Sequence, residues 1–255
     1  MAAVVATAPV AGASAAAFTP GSSSVKPREA FFDARGGVTI RFRVDAAGPT
    51  DVSVRIAGGG REVRRQELKQ VEAGAVREFR WDGLTEGRNP APDGRYRVLI
   101  GTSGSDLALA GRVTLRGHRH PVPRRHGSRG AVGEFGAART GGRRHQGFDV
   151  LARCGTPVVA VRGGTVVRRR YDPRLDGHFV VISGRKEGLT YRYSHLIAPA
   201  KVARGERVFT GQRIGFVGDT GNARTTPCHL HFELRKRSGR FLDPEPRLRA
   251  WDRYS

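Results

Sequence analysis

The chain is organised around one stretch near the end of the sequence, Cys228-His229-Leu230-His231-Phe232-Glu233. This run is largely apolar between its histidines, which favours a β-strand. Residues two apart point to the same face of a strand, so His229 and His231 can reach one point in space. Two imidazoles at one point indicate a metal site, an acid/base pair, or both.

Further candidate ligands lie earlier in the sequence. His145 and Asp149 stand four residues apart around a glycine and form a candidate chelating pair. A catalytic zinc takes three protein ligands and keeps a fourth position open, so one histidine of the pair at 229 and 231 would complete the set. The other histidine and His195 are then left near the metal as neutral bases. The residues alone leave open which of His229 and His231 binds the metal.

Composition limits the possible partners. The 255 residues suffice for two modest domains, and the formal net charge is +22, carried almost entirely by arginine. A protein this basic binds polyanions such as anionic wall polymers, unless the arginine reflects only a bias in the coding sequence. The chain lacks a base-reading motif, so nucleic acid is not an expected partner. It also lacks the run of about 18 apolar residues that a membrane span needs.

Residues 1–30 are interpreted as a signal-like segment followed by a linker. Met1 to Ala17 consists of small and apolar residues without charge, as in the apolar and cleavage regions of a secretory signal. The usual positive start is missing, and a low-complexity tail is the alternative. Thr19 to Lys26 is rich in Ser, Gly and Pro, which is typical of a linker. We therefore expect a secreted protein of the cell wall or the extracellular space.

Residues 31–116 predict a small β-sandwich. Short runs of alternating apolar and polar residues are separated by Gly, Pro and Asp, for example Val38–Val44, Val52–Ile56 and Tyr96–Ile100. The motifs Trp81-Asp82-Gly83 and Ala91–Tyr96 resemble the Ig-like domain of flagellar hook-capping proteins. Trp81 and Tyr96 are expected in its core. No catalytic set stands out here, so the expected role is a spacer or a targeting module.

Residues 117–130 are predicted to be a solvated linker. They are rich in Arg, Gly and Pro and contain a second His-x-His pattern, His118 and His120, together with His126. Neither a strand pattern nor a nearby carboxylate supports these histidines. We therefore interpret them as linker residues rather than metal ligands.

Residues 131–249 predict an antiparallel β domain with glycine-built corners. Short apolar or alternating runs follow one another without a long helical period. The predicted fold is therefore mainly β, with an N-terminal Ig-like sandwich and this C-terminal domain.

Several motifs of this region occur together in one known family. They are His145-x-Gly-x-Asp149, Tyr193-Ser-His195, Gly211-Gln-x-Ile-Gly-x-Val-Gly218, Thr220-Gly-Asn222 and His229-Leu-His-Phe-Glu233. Their combination resembles the lysostaphin/LytM-type zinc metallopeptidases, which cleave peptidoglycan. The resemblance implies that His145, Asp149 and His231 bind Zn²⁺ and that His195 and His229 act in catalysis. Cys228 stands where Pro is common in the family, and His178 where many relatives carry Asn.

The implied function is a zinc metalloendopeptidase that hydrolyses peptidoglycan stem peptides or cross-bridges. Some relatives are non-catalytic and bind the wall or regulate an amidase, but here all five positions are filled. The third possible function is a lipoyl- or biotinyl-type carrier, because the glycine spacing in Gly205–Ile214 resembles that of such carrier domains. Lys186 and Lys201 lack the flanking pattern of a modified lysine.

The same resemblance leads to an expectation about the two cysteines. Cys154 comes five residues after Asp149, and Cys228 directly precedes His229. If both motifs meet at one metal, these cysteines lie close together, and an oxidising compartment would join them in a disulfide. The alternative makes one thiolate a zinc ligand, but the three ligands implied above leave only the position that catalysis needs open.

Overall fold

The structure is a computed structural model that describes residues 22–102 and 106–255. Residues 1–21, which hold most of the predicted signal-like segment, lie outside the described residues. Within the described ranges, no helix is long and apolar enough to cross a membrane.

Two sheets form the N-terminal part of the chain. Their strands are β1 Ser23–Lys26, β2 Glu29–Phe31, β3 Val38–Arg43, β4 Thr50–Gly58, β5 Arg61–Val71, β6 Val76–Trp81, β7 Gly94–Thr102 and β8 Ala108–Arg116. One sheet has the order β1-β3-β6 and the other β2-β8-β7-β4-β5. Neighbouring strands are antiparallel except β2 and β8, which run parallel.

The inner faces of both sheets share one hydrophobic core. Strands β3 and β4 alternate buried and less buried residues, because successive side chains of a strand point to opposite faces. Trp81 and Tyr96 are buried, and their rings meet edge to face at 5.1 Å. Each polar end finds a carbonyl, since Trp81 Nε1 donates to Leu84 O at 2.8 Å and Tyr96 Oη to Pro92 O at 2.6 Å. The predicted core positions of Trp81 and Tyr96 are confirmed.

The C-terminal part is a second, mostly antiparallel β unit with one helix. Its elements are β9 Gly127–Ser128, β10 Phe148–Leu151, β11 Pro157–Val159, β12 Gly164–Asp172, β13 Gly177–Gly184, β14 Leu189–Leu196, β15 Arg207–Val208, β16 Arg213–Phe216, β17 His229–Lys236, β18 Phe241–Leu242 and α1 Glu245–Asp252. The main sheet has the order β15-β12-β13-β14-β17-β10-β9, with β18 beside β17, and β11 pairs with β16. The predicted fold class, mainly β with two such units, is confirmed.

A separate hydrophobic core lies beneath the main sheet. Tyr193, Leu230 and Phe232 are fully buried in it. Helix α1 runs past residue 249, the predicted limit of the domain, and places Trp251 against this core. The helix therefore closes the C-terminal unit.

Residues 117–122 of the predicted linker are largely packed, whereas most of residues 123–130 are exposed. Val122 is fully buried in the C-terminal core, and His120 is only 2% exposed. His118 Nε2 lies 2.8 Å from Glu187 Oε2, and its ring stacks on Trp251 at 4.9 Å. The prediction of solvation was wrong for residues 117–122, because their contacts come from residues far away in the sequence.

The two β units meet at a buried aspartate. Asp33, which follows β2, pairs with Arg185 at 2.6 Å and with Arg207, both from the C-terminal unit. Thr210 Oγ1 donates to Phe32 O at 2.5 Å. Asp33 is only 3% exposed, so this polar contact lies inside the interface between the units.

Candidate metal centre

The pairing of two strands brings two predicted ligands together. Strands β10 and β17 are antiparallel, and their register places Asp149 directly opposite His231. Opposed residues of an antiparallel pair have their Cβ atoms roughly 5 Å apart on the same face. The carboxylate and the imidazole therefore meet as a consequence of the sheet register.

The third ligand enters from the loop before β10. The His145 N–H donates to Ala137 O at 2.8 Å, a bond that closes this loop on itself. Gly147 lets this loop approach β17, because a Cβ at that position would lie 2.5 Å from Phe232 O and 2.8 Å from His231 Cε1. The glycine of the His145-x-Gly-x-Asp149 motif is thus a steric requirement of the site.

Three ligand atoms converge on one point. His145 Nε2 lies 2.8 Å from His231 Nδ1 and 3.1 Å from Asp149 Oδ1. His231 Nδ1 lies 3.0 Å from Asp149 Oδ1. Bonds of about 2.0–2.1 Å to a tetrahedral zinc place ligand atoms roughly 3.3 Å apart. The three ligand atoms would have to move apart by only a few tenths of an ångström to bind a zinc ion.

The outer nitrogens of both rings face hydrogen-bond acceptors. His145 Nδ1 lies 2.8 Å from Glu134 O, and His231 Nε2 lies 3.2 Å from Glu233 Oε1. With a metal bound, we therefore expect the ring hydrogens on these outer nitrogens and lone pairs on the inner nitrogens. Two lone pairs and a carboxylate then face one another, which is the donor set that zinc takes.

The charges of the centre favour a cation. Burial raises the pKa of Asp149, but hydrogen bonds from His145 and His231 outweigh it and hold that pKa well below its usual range. Burial lowers the pKa of His231, yet Asp149 and Glu233 outweigh it and raise the pKa to about 9. Without metal, a proton therefore occupies this position, and metal binding displaces it.

Two further imidazoles lie over the open side of the centre. His229 Nδ1 is 2.8 Å from Pro227 O, and His195 Nδ1 is 2.8 Å from Thr220 O. Their ring centroids are 4.9 Å apart, and His229 Nε2 lies 3.8 Å from Asp149 Oδ2. Burial lowers the pKa of both rings, that of His195 to about 4. Both are therefore neutral bases at pH 7, with Nε2 as the free nitrogen.

The backbone at His195 is unusual. Its φ is 61°, in the left-handed region that residues other than glycine rarely adopt. Its N–H donates to Asp176 O at 2.8 Å, which helps to hold this conformation. A strained backbone conformation of this kind persists only where surrounding contacts hold it in place, and it is frequent at functional sites.

All five predicted metal and catalytic residues line one cleft. The cleft has a cavity of about 530 Å³. His178 is not among its lining residues; its ring packs against Tyr171 with centroids 4.5 Å apart. The assigned roles of the five residues remain predictions.

Sequence reasoning missed the polar surroundings of the centre. Glu233 orients His231, and Arg129 Nη1 lies 3.1 Å from Asp149 Oδ2. The alternation His-x-His-x-Glu could have indicated Glu233, because residues two apart share a strand face. Nothing in the sequence near Arg129 indicates its partner. Arginines form much of the cleft wall, namely Arg129, Arg139, Arg143, Arg144 and Arg192.

A disulfide joins the chain beside both ligand strands. Cys154 and Cys228 are bonded, with a Cα–Cα distance of 5.3 Å. Cys228 directly precedes β17, and Cys154 follows β10 by three residues. The predicted pairing is present, and no cysteine of the chain is left as a zinc ligand.

Two histidines and one aspartate that converge beside two further neutral imidazoles could hold a single metal ion, and they match the donor set that mononuclear metallohydrolases use. Residues 143–244 match the model of Peptidase family M23, and residues 30–106 match the FlgD Ig-like domain. The chain therefore carries an M23 peptidase domain preceded by a FlgD Ig-like domain. Both resemblances inferred from the sequence are confirmed.

Two relatives match part of the chain. The L-Ala--D-Glu endopeptidase of Bacillus subtilis is 38% identical over 157 residues, which are 56% of this chain and 47% of that protein. The peptidoglycan DD-endopeptidase ShyA of Vibrio cholerae is 45% identical over 92 residues, 35% of this chain and 20% of that protein. The chain thus spans about half of the first relative and a fifth of the second.

A solved structure also matches part of the chain. The catalytic domain of lysostaphin from Staphylococcus simulans is 30% identical, and the match covers 46% of this chain and 89% of that domain with a TM-score of 0.41.

Proposed function

We propose that this chain is a secreted zinc metalloendopeptidase that hydrolyses peptide bonds in peptidoglycan stem peptides or cross-bridges. One observation carries the proposal: ligand atoms of His145, Asp149 and His231 meet within 3.1 Å, while the neutral rings of His195 and His229 line the same cleft. The M23 domain and the named endopeptidase relatives support the substrate class.

The residues divide into ligands and bases. When bound, zinc supplies a Lewis acid for the peptide carbonyl and an acidified water. His145, Asp149 and His231 would hold the ion, and Glu134 O and Glu233 orient the two imidazoles. These outer contacts fix which nitrogen of each ring faces the metal.

His229 is proposed as the general base. Its Nε2 lies nearest the ligand carboxylate, and Pro227 O holds its Nδ1–H, so Nε2 is free to take the proton of the attacking water. The same nitrogen can return that proton to the leaving amine. His195 also presents an unprotonated Nε2 to the cleft, because Thr220 O accepts from its Nδ1–H, so His195 is the alternative acceptor for the proton of the water.

The cleft favours an acidic substrate. Five arginines line it, and the whole chain has a net charge of +22. Carboxylates of wall peptides and anionic wall polymers fit this charge. The two named relatives cut differently described bonds, so the bond cut by this chain has to be found by digestion.

We further propose a division into an Ig-like spacer or targeting domain at 31–116, a connecting segment at 117–130 and a peptidase domain at 131–249. The disulfide between Cys154 and Cys228 supports an oxidising, extracellular location, because such bonds rarely persist in the cytosol.

The test is digestion of purified peptidoglycans of known cross-link type, with the fragments identified by mass. Zn²⁺-loaded protein is expected to release peptide fragments. His145→Ala should lose both zinc binding and turnover. His229→Ala should keep zinc and lose about 10²–10⁴ in rate, the usual contribution of a general base. Hydrolysis by His229→Ala at the wild-type rate would sink the proposed roles.

The second candidate is a non-catalytic protein that binds the wall or regulates an amidase. The complete ligand and base set argues against it, since such a protein has no need of either. A protein that binds zinc and sediments with the wall, yet releases no fragment from any wall type, would favour this candidate.

A further inference from the structure

A row of paired residues crosses the main sheet from the candidate metal centre to β12. Glu233 lies opposite Arg192 where β17 pairs with β14. Arg192 lies opposite Val181 of β13, which in turn lies opposite Arg168 of β12. Opposed residues of an antiparallel pair share a face, and Glu233 also shares the face of His231, two residues before it. Arg168 therefore lies on the sheet face that carries the metal ligands.

A second arginine of β12 lies beside Arg168 on this face. Arg170 is two residues further along and lies opposite Phe179. The guanidinium of Arg192 lies over the Phe179 ring at 4.5 Å, so Phe179 and Arg192 belong to the same face. Arg169, between the two arginines, points to the other face, because successive residues of a strand alternate.

A β-bulge determines which arginines reach this face. The pairing of β12 with β13 shifts by one residue between Val166 and Arg168, so Val167 is the extra residue. An unbroken ladder would instead have turned Arg169 towards the metal ligands and Arg168 and Arg170 away from them. Bulges that re-aim side chains in this way are frequent beside active sites.

Arg168 and Arg170 are the free cations of this face. Arg192 is already paired, with Asp176 at 2.7 Å and with Glu233 at 3.5 Å. Arg168 and Arg170 are exposed, and within residues 22–102 and 106–255 neither forms an ion pair or a side-chain hydrogen bond. An anion can therefore bind both guanidinium groups without breaking an existing pair.

The strand that carries the two arginines is also open at its edge. β15 pairs with β12 only at Gly164 and Thr165, and Val166 makes the last backbone contact on that side, with Gly205 and Glu206. Charged residues at an open edge can serve only to prevent pairing with another chain. Arg169 would fill that role as well as Arg168 and Arg170, so the face that each arginine occupies separates the two explanations.

The distance across the sheet fits a peptide. β17 and β12 are three strand spacings of about 4.8 Å apart, roughly 14 Å in all. An extended peptide spans about 3.3–3.6 Å per residue, so about four residues cover this distance. Guanidinium groups bind carboxylates through paired N–H donors. A peptide that lies across this face thus brings a carboxylate within reach of Arg168 and Arg170.

We propose that Arg168 and Arg170 form a distal subsite that binds a carboxylate of the wall peptide about four residues from the bond that is cut. This assignment rests on the proposed function, which takes a wall peptide as the substrate. The two arginines act in positioning and in selection of acidic peptides, since they lie too far from the metal ligands to take part in the chemical step.

The test is sedimentation of the full chain, freed of metal by chelation, with peptidoglycan from which hydrofluoric acid has removed phosphodiester polymers. Chelation prevents hydrolysis, so binding is measured by itself. Arg168→Gln with Arg170→Gln should bind about tenfold more weakly, since each exposed ion pair contributes up to about fivefold. Conversion of the wall carboxyl groups to amides should weaken the wild type to the same level.

A second double variant is the matched control. Arg97→Gln with Arg169→Gln removes the same charge from two exposed positions, one in the N-terminal unit and one on the other face of β12. It should bind within about twofold of the wild type. With zinc bound, Arg168→Gln with Arg170→Gln should raise KM for a soluble acidic wall peptide about tenfold and leave kcat nearly unchanged, because the lost contact is far from the reacting atoms.

Four results would overturn the subsite. They are wild-type affinity in Arg168→Gln with Arg170→Gln, equal weakening of both double variants, unchanged binding of the wild type to amidated wall, and a dependence on these arginines only where phosphodiester polymers remain. The proposed function fails separately. Arginine-dependent binding to the carboxyl groups, with no hydrolysis by the zinc-loaded wild type, would contradict the peptidase and leave the carboxylate site intact.

Discussion

Replacing Gly147 by alanine is the sharpest test of how the metal centre is built. The added Cβ would lie 2.5 Å from Phe232 O, 2.8 Å from His231 Cε1 and 3.0 Å from His231 Nε2. A Cβ contact below 3.0 Å essentially never occurs, so the loop and β17 must separate by about half an ångström. The carbonyl belongs to the backbone of a central strand and cannot rotate away.

That displacement is large for a metal site. Ligand distances are held within about 0.2 Å, so a shift of this size removes His231 from the set or tilts its ring. We expect zinc affinity to fall at least 10–100-fold, the usual effect of disturbing the contacts that orient a ligand. Overpacking should also cost about 1–3 kcal/mol of stability.

The assay is competition for zinc against a chromophoric chelator, with urea unfolding in parallel. Gly48→Ala is the matched control, because a Cβ there meets nothing within 4 Å and the backbone conformation suits alanine. If Gly147→Ala binds zinc within twofold of the wild type, the close approach of the loop to β17 is not what positions His231, and the reasoning fails.

Three further changes test other parts of the structure. Glu233→Gln should weaken zinc binding about 10–100-fold in the same competition assay, because it removes the charge that orients His231; an unchanged affinity would contradict this role. Replacing Cys154 and Cys228 by alanine should lower the unfolding free energy by about 4 kcal/mol, since the bridge spans 74 residues. Urea titration followed by the emission of Trp251 measures this loss. A loss below about 1 kcal/mol would contradict the stabilising role of the disulfide. With metal chelated, stability should fall from pH 6.5 towards pH 4, because the unfolded chain protonates His120 and His195 near 6.5 and the folded chain only near 4. His120 accounts for about 3 kcal/mol of this fall, so His120→Asn should make the profile shallower, and an unchanged profile would contradict the burial effect.

Much of the fold was predictable because it follows from local pattern. The alternation in Val38–Val44 and Val52–Ile56 predicted strands that the structure contains as β3 and β4. Strand β5 was not predicted from the sequence. It lies at a sheet edge and is mostly charged, so little of it is buried. A charged edge strand resists pairing with other chains, but it carries almost no hydrophobic signal.

Part of the candidate site was predictable for a similar reason. Alternation places His229 and His231 on one face, but the assignment of His231 to the metal came from the family resemblance. Arg129 and the partnership of His126 with Asp252 depend on contacts between distant segments. No local period encodes such contacts, so composition alone suggested a solvated linker where residues 117–122 are in fact packed.

The direct opposition of Asp149 and His231 across β10 and β17 has a consequence for folding. A slip of one residue in that pairing would turn one of the two side chains to the other face, so at most two of the three candidate ligands would remain together. Zinc uptake therefore reports the alignment of the central sheet. In a refolding experiment, the ion would bind only to molecules whose strands have found their correct partners, and it would select those molecules by stabilising them.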